Sequence, residues 1–242
     1  MRVIEWEPFL IGADLHGDHQ NKRVVKSFFD FMDQWKPKHR FSLGDDWDIT
    51  SLRARASEDE KNTPLQYDIN MGLEWLRRFR PQKKINGNHC HRLWRSAEKQ
   101  GHVGELCRKL ISEIEDEFAK LEIELIPYGK RNYYQFGDSK LIHGLVGGVG
   151  AARKHAMHFG RCFYGHTHTK DSATFGRAEQ AVTAYSCPAL CELDADYNAG
   201  HVETLRQENG WIHGVINKRT GKTIAWQHVY GEPVFLPMET AA

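Results

Sequence analysis

Five short islands in this chain of 242 residues gather the side chains that bind divalent cations: Asp14-Leu15-His16, Gly44-Asp45-Asp46-Trp47-Asp48, Gly87-Asn88-His89, His143-Gly144 and Gly165-His166-Thr167-His168. Each sets Asp, Asn or His beside Gly, after a short apolar or β-rich run. Carboxylate, amide oxygen and imidazole in this mixture suit one or two divalent metals better than a nucleophile triad. One island alone says little, because Asp-x-His arises by accident in many chains of this length. Gly-Asn-His and Gly-His-x-His each arise in roughly one chain in a hundred at ordinary composition. All five in one chain are not an accident of composition.

Side chains so far apart in sequence meet only if rigid elements bring them together. Phe9-Leu10-Ile11-Gly12-Ala13 reads as a buried strand ending at Asp14. Between Asn21 and Trp35, the stripe Val24, Val25, Phe28, Phe29, Met32 and Trp35 has the spacing of a helix face. Arg40-Phe41-Ser42-Leu43 leads into Gly44, residues 64–79 repeat the helical pattern, and Lys83-Lys84-Ile85 leads into Gly87. The first half therefore alternates strand, ligand loop and helix, with the chemistry at the carboxyl ends of strands, where open α/β sheets place their sites. Residues 92–120 predict one or two helices interrupted near Gly101 and Gly104. The second half predicts paired strands around Gly137-Asp138, a strand running into Gly165, and a hairpin from Trp211–Ile216 to Thr223–Tyr230.

The order of the islands resembles the calcineurin-like metallophosphoesterases, whose pattern is D-x-H, G-D-x-x-D, G-N-H-[D/E], H-G and G-H-x-H. The likeness runs from residue 14 to residue 168 and fills every metal-ligand position. It implies an α/β (α+β) fold, a two-sheet β-sandwich flanked by helices, as a single domain over residues 1–242 with a helical insertion at about 92–122. It implies two divalent ions, one on Asp14, His16 and His168 and one on Asn88, His143 and His166, with Asp45 bridging them. Such ions lie about 3.5–4 Å apart and clamp both the attacking and the leaving oxygen at phosphorus, and a hydroxide between them would be the nucleophile. Mn²⁺ is the expected metal in vitro, with Fe, Zn, Ni and Mg as alternatives. The resemblance also makes His89 the acid that protonates the leaving oxygen, oriented by Asp48 through its other ring nitrogen.

Blander readings stand beside these. Asp48 also opens Asp-Ile-Thr-Ser, which looks like a helix N-terminus. His19, His91, His155, His158 and His201 have no pattern behind them. The chain departs from the family at Cys90, where an acid is usual; a neutral packing thiol is the simplest expectation there.

The net charge of +1 gives no general pull toward nucleic acid or membrane. Five cysteines at irregular spacing argue against a disulfide framework and for a reducing compartment, and Cys187 and Cys191 make no convincing zinc ribbon. The acids among residues 1–7 do not suit a signal peptide, and no run approaches the roughly 18 apolar residues of a membrane span. A cytoplasmic protein with no membrane partner follows; oligomeric state is left open.

Local charge bears on the substrate. Between Arg77 and Lys109 there are ten Lys or Arg against two acids, flanking Asn88 and His89 and including Trp94. Arg92 and Arg95 are candidate substrate-binding residues, and a basic stretch with an aromatic suits single-stranded nucleic acid. Equally, these charges could form a solvated helix face balanced by the acids of residues 112–124. Arg53, Arg55, Arg153 and Lys154 are further basic candidates. The expectation is a metal-dependent phosphodiesterase acting on nucleic acid or a nucleotide. Its rivals are a phosphomonoesterase on a protein or small molecule, and a non-catalytic metal-binding scaffold. Retention of His89 opposes the scaffold, which needs no leaving-group acid.

Overall fold

Phe9 and Ile11 face one apolar cluster and Leu10 faces another, all fully buried, so the strand that carries them has a layer on each side. That strand is β1 (Trp6–Gly12). The computed structural model describes residues 6–54, 56–176, 178, 180–193, 202–234 and 236; residues 1–5 of the leader reading, Arg55 and His201 lie outside the described residues.

The first half continues with α1 (Lys22–Trp35), β2 (His39–Ser42), α2 (Glu58–Lys61), α3 (Leu65–Phe79), β3 (Lys83–Ile85), α4 (His91–Ala97), α5 (His102–Leu121) and β4 (Glu124–Ile126). Helix α1 starts where Asn21 accepts from the amides of Arg23 and Val24, the usual service of an Asn at a helix start. Gly101, at φ 80°, separates α4 from α5, whereas Gly104 lies inside α5 and interrupts nothing. The α4–α5 segment is the crossover from β3 to β4, which pair in parallel.

The second half supplies β5 (Tyr134–Phe136), β6 (Ser139–Ile142), α6 (Ala151–Phe159), β7 (Cys162–Tyr164), β8 (Ser172–Phe175), β9 (Val182–Ser186), β10 (Gly210–Asn217) and β11 (Thr223–Val229). The last two form the expected hairpin, in register from Gly210↔Val229 to Ile216↔Thr223.

The strands make two mixed sheets, ordered β11-β10-β1-β2-β3-β4 and β5-β6-β7-β9-β8. Phe9, Ile11, Phe41 and Ile85 of the first meet Phe136, Leu141 and Phe163 of the second in the layer between them. Helices α1, α3 and α5 cover the outer face of the first sheet, and α6 covers that of the second. This is a two-sheet sandwich flanked by helices. Its parallel neighbours β1, β2 and β3 run the same way, as do β6 and β7, so five carboxyl ends point toward one edge of the sandwich. Among the described residues, no helix is long and apolar enough to cross a membrane.

Phe9 ties the layers together, its ring 5.4 Å from that of Phe136 and 5.8 Å from that of Phe163. Phe9→Ala should cost about 3–5 kcal/mol, read as a lower urea midpoint with little change in slope. A midpoint unchanged from wild type would mean that the two sheets do not depend on this contact.

Candidate metal centre

All five islands sit at those strand ends: residues 13–16 after β1, 43–48 after β2, 86–89 after β3, 143–144 after β6 and 165–168 after β7. The turns there are strained. Asp14 (φ 54°), His16 (54°), Asp45 (51°), His166 (76°) and His168 (56°) all take left-handed backbone, which costs a non-glycine residue about 1–3 kcal/mol. Elsewhere that conformation is confined mainly to helix ends, at Lys36, Arg80 and Glu122. The strain is held by backbone bonds between islands: Asp14 N donates to Gly44 O at 2.9 Å and His16 N to Asp45 O at 2.8 Å. Glycine is required at two of the approaches. A Cβ on Gly44 would lie 2.8 Å from Gly87 N, and one on Gly87 would lie 2.0 Å from Asp45 Oδ1.

Asp45 stands at the middle. Its Oδ1 accepts from the amides of His89 (2.9 Å) and Cys90 (3.3 Å), and its Oδ2 faces His143 Nε2 at 3.0 Å. Donor atoms of Asp45, His143 and His166 lie within 4.8 Å of one another, and so do those of His16, Asp45 and His89. Asn88 Oδ1 is 2.9 Å from His143 Nε2 and 2.8 Å from His166 Nδ1. On the other side His16 Nε2 is 3.2 Å from His168 Nε2, and Asp14 Oδ1 is 3.6 Å from His168 Nε2. The seven candidate ligands are thus brought together as two groups that share Asp45.

The donor set fits divalent cations. His143 Nδ1 faces the carbonyl of Leu43 at 2.8 Å, so it carries a proton, and its Nε2 is aimed at Asn88 Oδ1 and Asp45 Oδ2; burial opposes protonation of the ring, but the charge of Asp45 overrides it and raises the His143 pKa. His16 Nδ1 is likewise fixed by Asp48 Oδ1 at 2.7 Å, which turns its Nε2 toward that of His168. Oxygens and ring nitrogens converging at these distances share positive charge, carried by protonated imidazoles or by a bound cation. Burial, together with the charge of Asp45, lifts Asp14 to about 7, the mark of a carboxylate short of a counter-charge. Asp45 is buried too, but His143 and His89 hold it well below the usual range. Burial opposes protonation of His16, yet Asp48 overrides it and raises His16 to about 9. Burial and neighbouring imidazoles push His166 down to about 4 and His168 well down, so both offer free lone pairs.

At the rim, Asp48 Oδ1 also takes His89 Nδ1. Asp48 does not begin a helix: Ile49 precedes a short 3₁₀ turn at Thr50–Leu52, and Thr50 Oγ1 donates to Asp48 Oδ2. Arg92 donates to the Asp48 carbonyl at 2.8 Å and brings its other terminal nitrogen to 3.4 Å from His89 Nε2. Arg95 lies on the exposed side of α4, away from this network.

Much of the basic stretch is occupied. Arg77 pairs with Glu117, Lys83 with Glu124, and Arg78 lies over Phe29. Trp94 is half-buried and packs against the core beside Trp47, with ring centroids 6.5 Å apart. Arg53 pairs with Glu60, and Arg153 lies over the Phe175 ring.

Four residues that pattern reading passed over hold the islands in place. Lys84 is fully buried, 2.8 Å from Asp46 Oδ2 and over the Trp47 ring. Asp46 Oδ1 accepts from Ser42 Oγ at 2.6 Å. Asp68 accepts from the amides of Asp48 and Ile49. Cys191 places its sulfur 3.9 Å from His168 Nδ1, and its ligand atom lies within 4.8 Å of those of His16 and His168. An Asp beside the bridging one and a Lys in a strand are the only traces of this in the sequence; Asp68 and Cys191 leave none. Cys90 is a packing residue, buried 3.8 Å from Lys84 Nζ, with its thiol pushed up to about 12 by burial. All five cysteines are free and buried.

Lys84→Met strands the Asp46 charge and should cost about 3–5 kcal/mol, the usual result of breaking a buried pair, read by denaturant melts. Cys90→Asp should be tolerated, because Lys84 is there to meet the new carboxylate. A stable Lys84→Met protein, or an unfolded Cys90→Asp protein, would show that Lys84 does not supply this charge.

No family model and no curated protein matches the sequence. Among solved structures, the chain is similar to a metallophosphoesterase from Sphaerobacter thermophilus, at 15% identity and TM-score 0.45 over 94% of this chain and 90% of that one. It is similar to YfcE, a phosphoesterase from E. coli, at 13% identity and TM-score 0.44 over 90% and 96%. A third likeness is to the nuclease MPE of Pseudomonas putida, at 15% identity and TM-score 0.39 over 77% and 76%. The order of the five motifs resembles that of the calcineurin-like metallophosphoesterases, and the fold gathers their side chains at one edge of two mixed sheets.

Proposed function

We propose that this chain is a metal-dependent phosphoesterase that hydrolyses phosphodiester bonds. The observation that carries the reading is the His89–Asp48 pair at the open rim of two ligand groups sharing Asp45. Asp14, His16 and His168 would hold one divalent ion, Asn88, His143 and His166 the other, and Asp45 both. Bound there, the ions would supply Lewis acidity toward a phosphoryl oxygen and acidify water.

The remaining work falls to the side chains. Burial lowers the His89 pKa, while Asp48, accepting from Nδ1, favours the protonated ring, whose Nε2 would pass its proton to the leaving oxygen. His89 keeps 23% of its side chain in solvent against 7% for Asp48, so the acid and not its anchor reaches the substrate. Arg92, fixed through the Asp48 carbonyl, holds its guanidinium beside the same nitrogen, where it would pair with a phosphoryl oxygen. A small diester or nucleotide is the favoured substrate, because three of the ten basic residues, Arg77, Lys83 and Lys84, already pair with acids and leave less charge for a long strand. A pure docking scaffold has no use for His89 in this position.

After chelation and reloading with Mn²⁺, the protein should hydrolyse bis(p-nitrophenyl) phosphate faster than p-nitrophenyl phosphate. The reverse preference would make it a monoesterase, and hydrolysis of neither would leave the scaffold. His89→Ala should keep its metal and lose about 10²–10⁴ in kcat on an alkyl ester, but much less on a p-nitrophenyl ester, whose leaving group departs with little protonation. Equal losses on both esters, or loss of metal, would instead make His89 a ligand.

A further inference from the structure

A cleft of about 180 Å³ opens beside His166, one of the candidate ligands. Its walls are Gly147-Gly148-Val149 from the β6–α6 loop, Thr167 and Thr169 from the loop after β7, Asp171, and Arg206 with Gln207. The glycine run keeps one wall bare. A Cβ on Gly147 would stand 4.0 Å from His166 Nε2, and one on Gly148 would meet nothing within 4 Å. The loop is held from behind by His155, whose Nε2 accepts from Leu145 N at 3.1 Å while its Nδ1 donates to Ala151 O. A side group carried by a phosphorus at the metal centre would therefore enter a preformed space.

The lining describes the group that fits. Asp171 offers a carboxylate, with Arg206 at 3.6 Å. Gln207 buries a side-chain oxygen that has no hydrogen-bond partner among the described residues. The hydroxyls of Thr167 and Thr169 lie 3.2 Å apart, and both also meet Ser186 Oγ. The Asp171 carboxylate and the unpartnered Gln207 oxygen both call for donors, so the group should bring hydroxyls, which can also accept from Arg206. A second phosphate is disfavoured, because it would face Asp171 as well as Arg206. The volume lies below the roughly 300–1,000 Å³ of sites that take drug-sized ligands, which leaves room for one sugar or polyol and not for a strand.

We propose that this cleft binds a neutral, hydroxyl-rich substituent of the phosphodiester, such as ribose or glycerol, and that Asp171 and Gln207 select for it. The inference rests on the phosphodiesterase reading. Its test compares p-nitrophenyl diesters that differ only in the second alcohol: methyl, glyceryl, uridin-5′-yl and 2′,3′-dideoxyuridin-5′-yl. In the Mn²⁺-loaded protein, kcat/KM should be at least tenfold higher for the uridyl than for the dideoxyuridyl ester, or for the glyceryl than for the methyl ester. Whichever pair shows the larger ratio identifies the source of the hydroxyls. In Asp171→Asn and Gln207→Leu that ratio should fall toward one. Ratios near one in the wild type, or a high ratio that survives both substitutions, would overturn the assignment while the diesterase reading stands. Hydrolysis of none of the four esters would overturn both.

Discussion

The site depends on one buried aspartate being met from three strand ends. Asp45 is 1% exposed, yet its side chain meets the amides that open α4 and the imidazole that follows β6, while its backbone oxygen takes the amide of His16. These bonds join the ends of β3, β6 and β1 to the loop after β2. Placing a charge there without compensation would cost several kcal/mol. Donors from three loops lower that cost, and the left-handed backbone at Asp14, His16, Asp45, His166 and His168 is how the loops come close enough to supply them. The sandwich provides the rigid ends, and Asp45 fixes how they meet.

The same logic explains why a charged group lies beneath the site. Lys84 and Asp46 are both buried and pair beneath the loops after β2 and β3. Exchange for apolar groups of matching shape could leave stability nearly unchanged, so the pair is better understood as a device for register between the two loops. Cys90 fits that arrangement. Where an acid is usual in the family pattern, Asp46 already answers Lys84, and a thiol fills the space.

How much of this was legible beforehand follows from what sequence encodes locally. The runs Phe9–Ala13 and Lys83–Ile85 and the stripes in α1 and α3 carry their own period, so these elements and the hairpin β10–β11 lie close to where the pattern predicts. The ligand islands were legible because five motifs in fixed order are improbable together. Residues that act through long-range contact leave no such trace. Asp68 looks like any helix residue, and Cys191 like a stray thiol, until the fold brings them to Asp48 and His168. Charge was the least legible feature. Ten basic residues in a row of sequence suggest one surface, but Lys84 points into the core, and Arg77 and Lys83 are paired with acids from α5 and β4.

Metal stoichiometry tests the central claim most directly, since everything above turns on Asp45 serving two cations. Chelated protein titrated with Mn²⁺ and followed by calorimetry and elemental analysis should take up two ions per chain, with activity returning as they bind. Asp45→Asn, which keeps the shape and removes the charge, should lose most of one equivalent. Uptake of one ion or none, with activity indifferent to chelation, would contradict the account.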